Sequence, residues 1–207
     1  FNLDNLFRGG DLVTNVTGVL DFSNKFYRIH PTQGADYTPA NPRPDVPTFE
    51  SNLVVASMNV LNYFITIDTG DDICGPNGDM ECRGADTYEE LARQRAKIVA
   101  ALAGMNADVV GLMEIQNDEG QSTADLVSGL NDIFDDGTYS YIDTGYIGTD
   151  AIKLTLIYKP ASVEPIGEFA ILDSTVDDRF LDDYNRPTLA QTFMDVETGG
   201  IFTMAVN

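Results

Sequence analysis

The sequence predicts a mixed α/β (α+β) domain preceded by a short all-β segment, and three observations carry that prediction. Leu53-Val-Val-Ala-Ser-Met-Asn-Val60 and Asp108-Val-Val-Gly-Leu-Met-Glu-Ile115 are nearly continuous apolar runs, the pattern of strands covered on both faces. Between them, Thr87-Tyr-Glu-Glu90 is a capping box, with Thr87 at the N-cap and Glu90 at N3 of an amphipathic helix. Four prolines between Pro39 and Pro47 divide these elements from what precedes them.

In the first segment, Asp11–Asp21 alternates roughly between apolar and polar residues, and Lys25–His30 follows a Ser-Asn turn, so short strands are expected up to about residue 38. The Pro-rich stretch is a linker or extended strap, because proline fixes φ and removes a backbone donor. The chain is therefore divided into residues 1–45 and residues 46–207. In the second part the helix places Leu91, Ile98, Val99 and Leu102 on one face, with Gly104 expected to stop it. A second amphipathic helix carries Leu126, Leu130, Ile133 and Phe134 on one side. Strands follow near Tyr139–Asp143, Ile152–Tyr158 and Leu189–Val196, the last turning at Thr198-Gly-Gly200 into Ile201–Val206. Both long apolar strands require cover on two sides. No internal repeat or low-complexity tract is present.

Composition bounds the function. A chain of 207 residues with 43% hydrophobic residues builds a core and is not disordered in bulk. The net charge of −21 argues against gripping nucleic acid by broad phosphate neutralisation. It is compatible with an enzyme that meets phosphate through a divalent cation and a few basic residues; the plainer reading is a solubility adaptation of a secreted or salt-exposed protein. Cys74 and Cys82 lie in a loop rich in Gly, Pro, Asn and Asp. Two thiols far from the single histidine, His30, make a poor zinc site, and a local disulfide in an oxidising compartment is the preferred reading over two free thiols. No run of 18 apolar residues exists, so no transmembrane helix is expected. The chain opens on Phe1 without a signal peptide and stops in a strand at Asn207, and it is read as an excised fragment.

Two residues stand out chemically. Glu114 closes an otherwise apolar strand, where a carboxylate is costly unless a cation or proton compensates it. At that end it faces the usual ligand crevice of an α/β sheet, and Mg²⁺ takes one or two carboxylates with phosphate oxygens and water. The plain alternative is a Glu paired with an Arg or exposed to water. Asn59 is also near a strand end, where its amide would bond a phosphate oxygen or orient a metal ligand, or simply form a turn. Asn62 reads as structural. The acidic runs Asp68–Asp72 and Asp177–Asp183 lack EF-hand spacing and read as solvated loops.

Ser57-Met-Asn-Val-Leu-Asn-Tyr-Phe64, a helix, and Ala107-Asp-Val-Val-Gly-Leu-Met-Glu-Ile-Gln116 together resemble the opening of the endonuclease/exonuclease/phosphatase superfamily, to which deoxyribonuclease I belongs. The secreted bacterial nucleases of that superfamily are the closer resemblance. It rests on the loop Cys74-Gly-Pro to Asp86, the helix Glu90–Ile98, Asp150-Ala-Ile-Lys-Leu-Thr-Leu-Ile-Tyr-Lys-Pro160 and Arg186-Pro-Thr-Leu-Ala-Gln-Thr-Phe193. The match spans residues 51 to 207, and residues 1–45 resemble the end of a small OB-like β module that precedes such domains.

The resemblance implies half of a four-layer αββα sandwich. It implies Mg²⁺ held at Glu114 with Asn59 beside it, Mn²⁺ or Ca²⁺ being substitutes, and hydrolysis of phosphodiester bonds in DNA, or RNA. Arg186 would meet the phosphate backbone, the alternative being an Arg pinned by an aspartate just before it; Asp150 and Lys153 would stand at the substrate edge. The superfamily's general-base histidine and its later Asp, Asn and His residues would lie in the remaining half of the domain, so the 207-residue chain is expected to be inactive alone. His30 is expected to cap or pack within the β module. Two other readings remain. One is a phosphoesterase of the same superfamily acting on a lipid or inositol phosphate; the other is a secreted Ca²⁺-binding or adhesion module without catalysis.

Overall fold

The computed structural model describes residues 7–45, 47–48 and 50–207; the part of the strand expectation that falls on residues 1–6 lies outside them. The chain divides into two compact units, residues 1–48 and 49–207.

The first unit holds two antiparallel ribbons. β1 (Leu12–Thr14) pairs with β4 (Asp36–Thr38), and β2 (Gly18–Ser23) pairs with β3 (Phe26–Pro31). The β2–β3 hairpin turns on Asn24 and Lys25, both with positive φ, the backbone that two-residue hairpin turns require. His30 is exposed and meets Asp21 across the hairpin at 3.3 Å. It is a surface contact and not the packed or capping residue expected, because every position of this hairpin except Ser23 is exposed.

The second unit is layered. β5 (Val55–Tyr63) and β8 (Val109–Gln116) run parallel, joined through α1 (Tyr88–Met105); β10 (Ile152–Tyr158) lies antiparallel to β8, and β9 (Ser140–Tyr141) edges β10. The loop before α1 contains the small ribbon β6 (Asp72–Cys74) and β7 (Met80–Glu81). A second sheet, β11 (Val163–Leu172), β12 (Thr188–Asp195) and β13 (Ile201–Val206), is antiparallel throughout. α1 and α2 (Gln121–Ile133) pack on one face of the first sheet through Val99, Leu102, Leu126 and Leu130. The other face packs on the second sheet through Val109, Leu154, Leu156, Phe193 and Val206. Helices, sheet and sheet thus form three consecutive layers of an α/β (α+β) sandwich.

The strand pleat explains the sharing of β8. Val110 and Leu112 face the helices, while Val109 faces the second sheet. Gly111 lies on the same face as Val109, where a Cβ would sit 2.5 Å from Val206. Only glycine permits the two sheets this separation.

Four sequence expectations change. β8 is buried on both faces, but β5 is an edge strand with Val55, Ser57 and Asn59 exposed, since the second sheet does not extend over it. β11 was not expected, because Pro165 and Gly167 interrupt its pattern. It is an edge strand whose register breaks between Ile166 and Ala170, where such residues are tolerated. α1 runs past Gly104 to Met105 and ends on Asn106, whose φ of 46° gives the left-handed cap. Ile133, at the end of α2, is 55% exposed and leaves the packing to Leu126 and Leu130.

Polar contacts tie the helix layer to the sheet. Asp125 on α2 accepts a hydrogen bond from the Tyr63 hydroxyl and one from Arg95 Nε on α1 at 2.8 Å. Tyr139 is buried and donates to the Ala107 carbonyl at 3.0 Å. Burial, aided by the negative charge of Asp108, pushes the Tyr139 phenol up to about 12. A raised folded pKa holds stability below the unfolded value, about 10, and loses it as pH climbs through the folded value. Unfolding free energy is therefore expected to fall between roughly pH 10 and 12. Tyr139→Phe should flatten that slope in denaturant titrations; an unchanged slope would assign the alkaline loss to other groups.

Candidate active site

The site begins with a coincidence of irregularities around Glu114. On one side of β8, Lys153 stands opposite Ile115 and Thr155 opposite Leu112, so Met113 and Glu114 share the single residue Leu154. That is a β-bulge. On the other side, Asn59 stands opposite Met113 and Tyr63 opposite Ile115, so Val60, Leu61 and Asn62 face Glu114 alone. Glu114, Leu61 and Asn62 all have positive φ, at 66°, 56° and 53°. A left-handed non-glycine residue costs about 1–2 kcal/mol, and such residues cluster at functional sites. Glu114 is half-buried and has no hydrogen-bond or ion-pair partner among the described residues.

The β5 bulge is held from two directions. Asn59 Oδ1 accepts the Leu61 N–H at 2.8 Å. Gln94 on α1 donates from Nε2 to the Leu61 carbonyl at 3.0 Å and reaches the Asn62 carbonyl at 3.4 Å. The Asn59 oxygen thus spends one lone pair on the bulge, which leaves its amide N–H groups and the other lone pair for a ligand. Asn62 shares the bulge's left-handed backbone, and its carbonyl is reached by Gln94.

Asp150 is the second centre. Its Oδ1 accepts from Arg83 at 2.7 Å, and its Oδ2 accepts from Arg186 Nε at 3.3 Å. Arg186 is therefore pinned by an aspartate 36 positions earlier, not by the aspartates just before it. Asp150 orients two guanidiniums and is a positioning residue. Arg83 was missed in the sequence, although it follows Cys82 directly. Cys74 and Cys82 are bonded to each other. Their sulfurs are buried beside Phe64, Ala151 and Ile152, so the bridge holds the Arg83 loop against the strand that follows Asp150.

Two clefts adjoin these residues. One, of about 590 Å³, lies between the end of β5 and α1 and is lined by Asn59, Arg83, Glu90, Arg93 and Lys97 among others. The other, of about 560 Å³, is lined by Asp150, Arg186, Tyr184 and three further aspartates.

Lys153 belongs to neither. It is 2% exposed, and its Nζ donates to the Asp118 carbonyl at 2.7 Å and the Gly145 carbonyl at 2.6 Å. Burial holds the ammonium below the usual lysine range, against the pull of Asp118 and Asp143. The expectation that Lys153 meets substrate is corrected: it is an internal strut joining the loops after β8 and before β10. Asn117 does the same work from the other side, bonding Ile147 and Asp150 backbone groups.

Metal binding has narrow support. Among the described residues no group of three or more His, Cys, Asp or Glu side chains is arranged around a common point. The acidic loops are occupied by their own turns: Asp68 accepts from the Gly70 N–H, and Asp177 grips Arg179. Among the described residues Glu114 is a half-buried carboxylate with no side-chain partner, the kind of group a cation would compensate. One carboxylate suffices for Mg²⁺ when phosphate oxygens and water supply the rest of the octahedron.

No family model matches the chain, and no curated protein matches it. Solved structures do. An endonuclease/exonuclease/phosphatase from Bacteroides vulgatus is 18% identical, with 74% of this chain and 51% of that chain covered and a TM-score of 0.47. An endonuclease/exonuclease/phosphatase family protein from Bacteroides thetaiotaomicron is 16% identical, covering 74% and 48% with a TM-score of 0.49. A mannosyl-6-phosphatase from Bacteroides thetaiotaomicron is 16% identical, covering 74% and 50% with a TM-score of 0.48. The chain spans about half the length of these structures. At these identities and TM-scores they assign it neither substrate nor mechanism; the superfamily that two of them are named for is the one its motifs resemble.

Proposed function

We propose that the chain is part of a divalent-metal-dependent phosphodiesterase that hydrolyses nucleic acid, DNA foremost, outside the cell. The observation that carries this reading is Glu114: an unpartnered, partly buried carboxylate in a strained bulge at the end of the central strand, one residue beyond the partner of Asn59. Mg²⁺ bound there would supply Lewis-acid polarisation of a phosphoryl oxygen.

The chain's own residues have definable tasks. Glu114 supplies the negative charge that holds the cation. Asn59 donates from its amide to a non-bridging oxygen while its own oxygen keeps the bulge in shape. Arg186, steadied by Asp150, offers its remaining N–H groups to phosphate. The acid–base groups that activate water belong, on this reading, to the other half of the domain. The buried disulfide supports a secreted location.

The full-length protein is expected to nick supercoiled plasmid with Mg²⁺ and to stop when EDTA is added. A folded, Mg²⁺-loaded protein that leaves plasmid intact and cleaves inositol or lipid phosphates would overturn the nucleic-acid reading. It would retain the phosphoesterase.

A further inference from the structure

The cations of the second unit are few enough to account for one by one. Arg95 pairs with Asp125, Lys159 with Asp108, and Arg179 with Asp177. Lys153 is spent on backbone carbonyls. Arg83 and Arg186 share Asp150. Arg93 and Lys97 are left, with no ion-pair or hydrogen-bond partner among the described residues.

These two unpartnered cations are not scattered. They lie four residues apart on one face of α1, and with Arg83 from the disulfide loop they line the cleft that Asn59 closes at its other side. Three cations from two separate elements thus converge in a protein of net charge −21. The acidic residue in the lining, Glu90, is turned to the helix start, where it accepts the Asp86 N–H at 3.2 Å. An exposed helical Arg or Lys is ordinarily a solvated residue. What distinguishes this pair is the third cation brought in from outside the helix, and the bulge amide beside it.

We infer that the cleft between β5 and α1 is a track for the backbone phosphates of a nucleic-acid strand, engaging phosphates that flank the one hydrolysed. The inference rests on the nuclease reading and adds to it a substrate of several consecutive phosphates. Arg93 and Lys97, one helical turn apart, neutralise successive phosphates. Arg83 carries the line toward Asp150 and Arg186, which open on the second cleft. The track needs no base contacts, so it binds without regard to sequence.

The test is fluorescence anisotropy of a labelled short oligonucleotide with the full-length protein in EDTA. Wild type and Arg93→Ala/Lys97→Ala are compared between about 50 and 200 mM salt. Both alanines sit at exposed helix positions and favour the helix, so folding is unaffected. The double variant is expected to bind roughly ten-fold more weakly, and its log–log salt slope to shrink by roughly 1.4–1.8, the loss of two phosphate contacts. Equal affinity and slope in wild type and double variant overturn the track, as does a wild type that binds inositol hexakisphosphate but no oligonucleotide. If the double variant weakens as stated yet wild type with Mg²⁺ cleaves nothing, the track stands and the hydrolytic reading falls.

Discussion

Glutamine at position 114 is expected to lower metal-dependent hydrolysis by about 10²–10³-fold, the usual loss when one preorganised electrostatic group is removed from an active site. The same change should leave the melting temperature level. These two effects have one cause. A carboxylate that stabilises a fold does so through partners, and cutting it from them costs about 1–3 kcal/mol. Glu114 has no partner to lose, and it is held partly out of water in a left-handed conformation. Neutralising it costs the fold no contact and leaves the backbone as it was. Hydrolysis of bis(p-nitrophenyl) phosphate and differential scanning calorimetry on the full-length protein read both effects. A variant that keeps its rate sinks the catalytic assignment; one that melts several degrees lower makes Glu114 a structural residue instead.

The largest loss of stability is expected from Phe193→Ala, at about 3–5 kcal/mol. Phe193 is fully buried between the two sheets, with the Tyr158 ring 5.6 Å and the Phe202 ring 5.8 Å from its own. Its removal opens a cavity that the sheets close only in part, because the Val206 side chain already packs against Gly111 on the facing strand. In a domain of this size the melting temperature should fall by roughly 10 °C or more. A drop of only one or two degrees would mean that the second sheet contributes little to the cooperative core. In that case the helix layer, with Leu102, Leu126 and Leu130, holds the unit together on its own.

The elements that could be read from sequence are those whose signals are local. The capping box of α1 is present as expected at its first half: Thr87 Oγ accepts the Glu90 N–H at 3.1 Å. Glu90 caps Asp86 rather than Thr87, a one-residue difference that side-chain reach permits. β8 is legible because its neighbours cover it on both sides and every position is apolar until Glu114. The disulfide is legible because its two cysteines are close in sequence. What is set by tertiary pairing was not legible. β11 hides behind Pro165 and Gly167, which only its edge position makes acceptable. The bulge at Glu114 comes from the mismatched registers of two neighbouring strands, and no single segment encodes it. Lys153 looks like a substrate contact in the string of residues, and only the folded loops show its ammonium enclosed by carbonyls. Arg83 acquires a meaning only when Asp150, 67 positions away, arrives beside it.

If the chain acts on phosphodiesters as proposed, the clamp of Asp150 on two arginines would have a kinetic consequence. Two guanidiniums sharing one carboxylate retain a single surplus positive charge, so a phosphate arriving there meets a pair already half-satisfied. On the proposed function, such a pair would release a phosphate readily, because Asp150 offers both guanidiniums an alternative partner. A strand sliding over these residues would dwell briefly at each phosphate. On that reading the enzyme would be limited by how often it meets its substrate and not by how slowly it lets go.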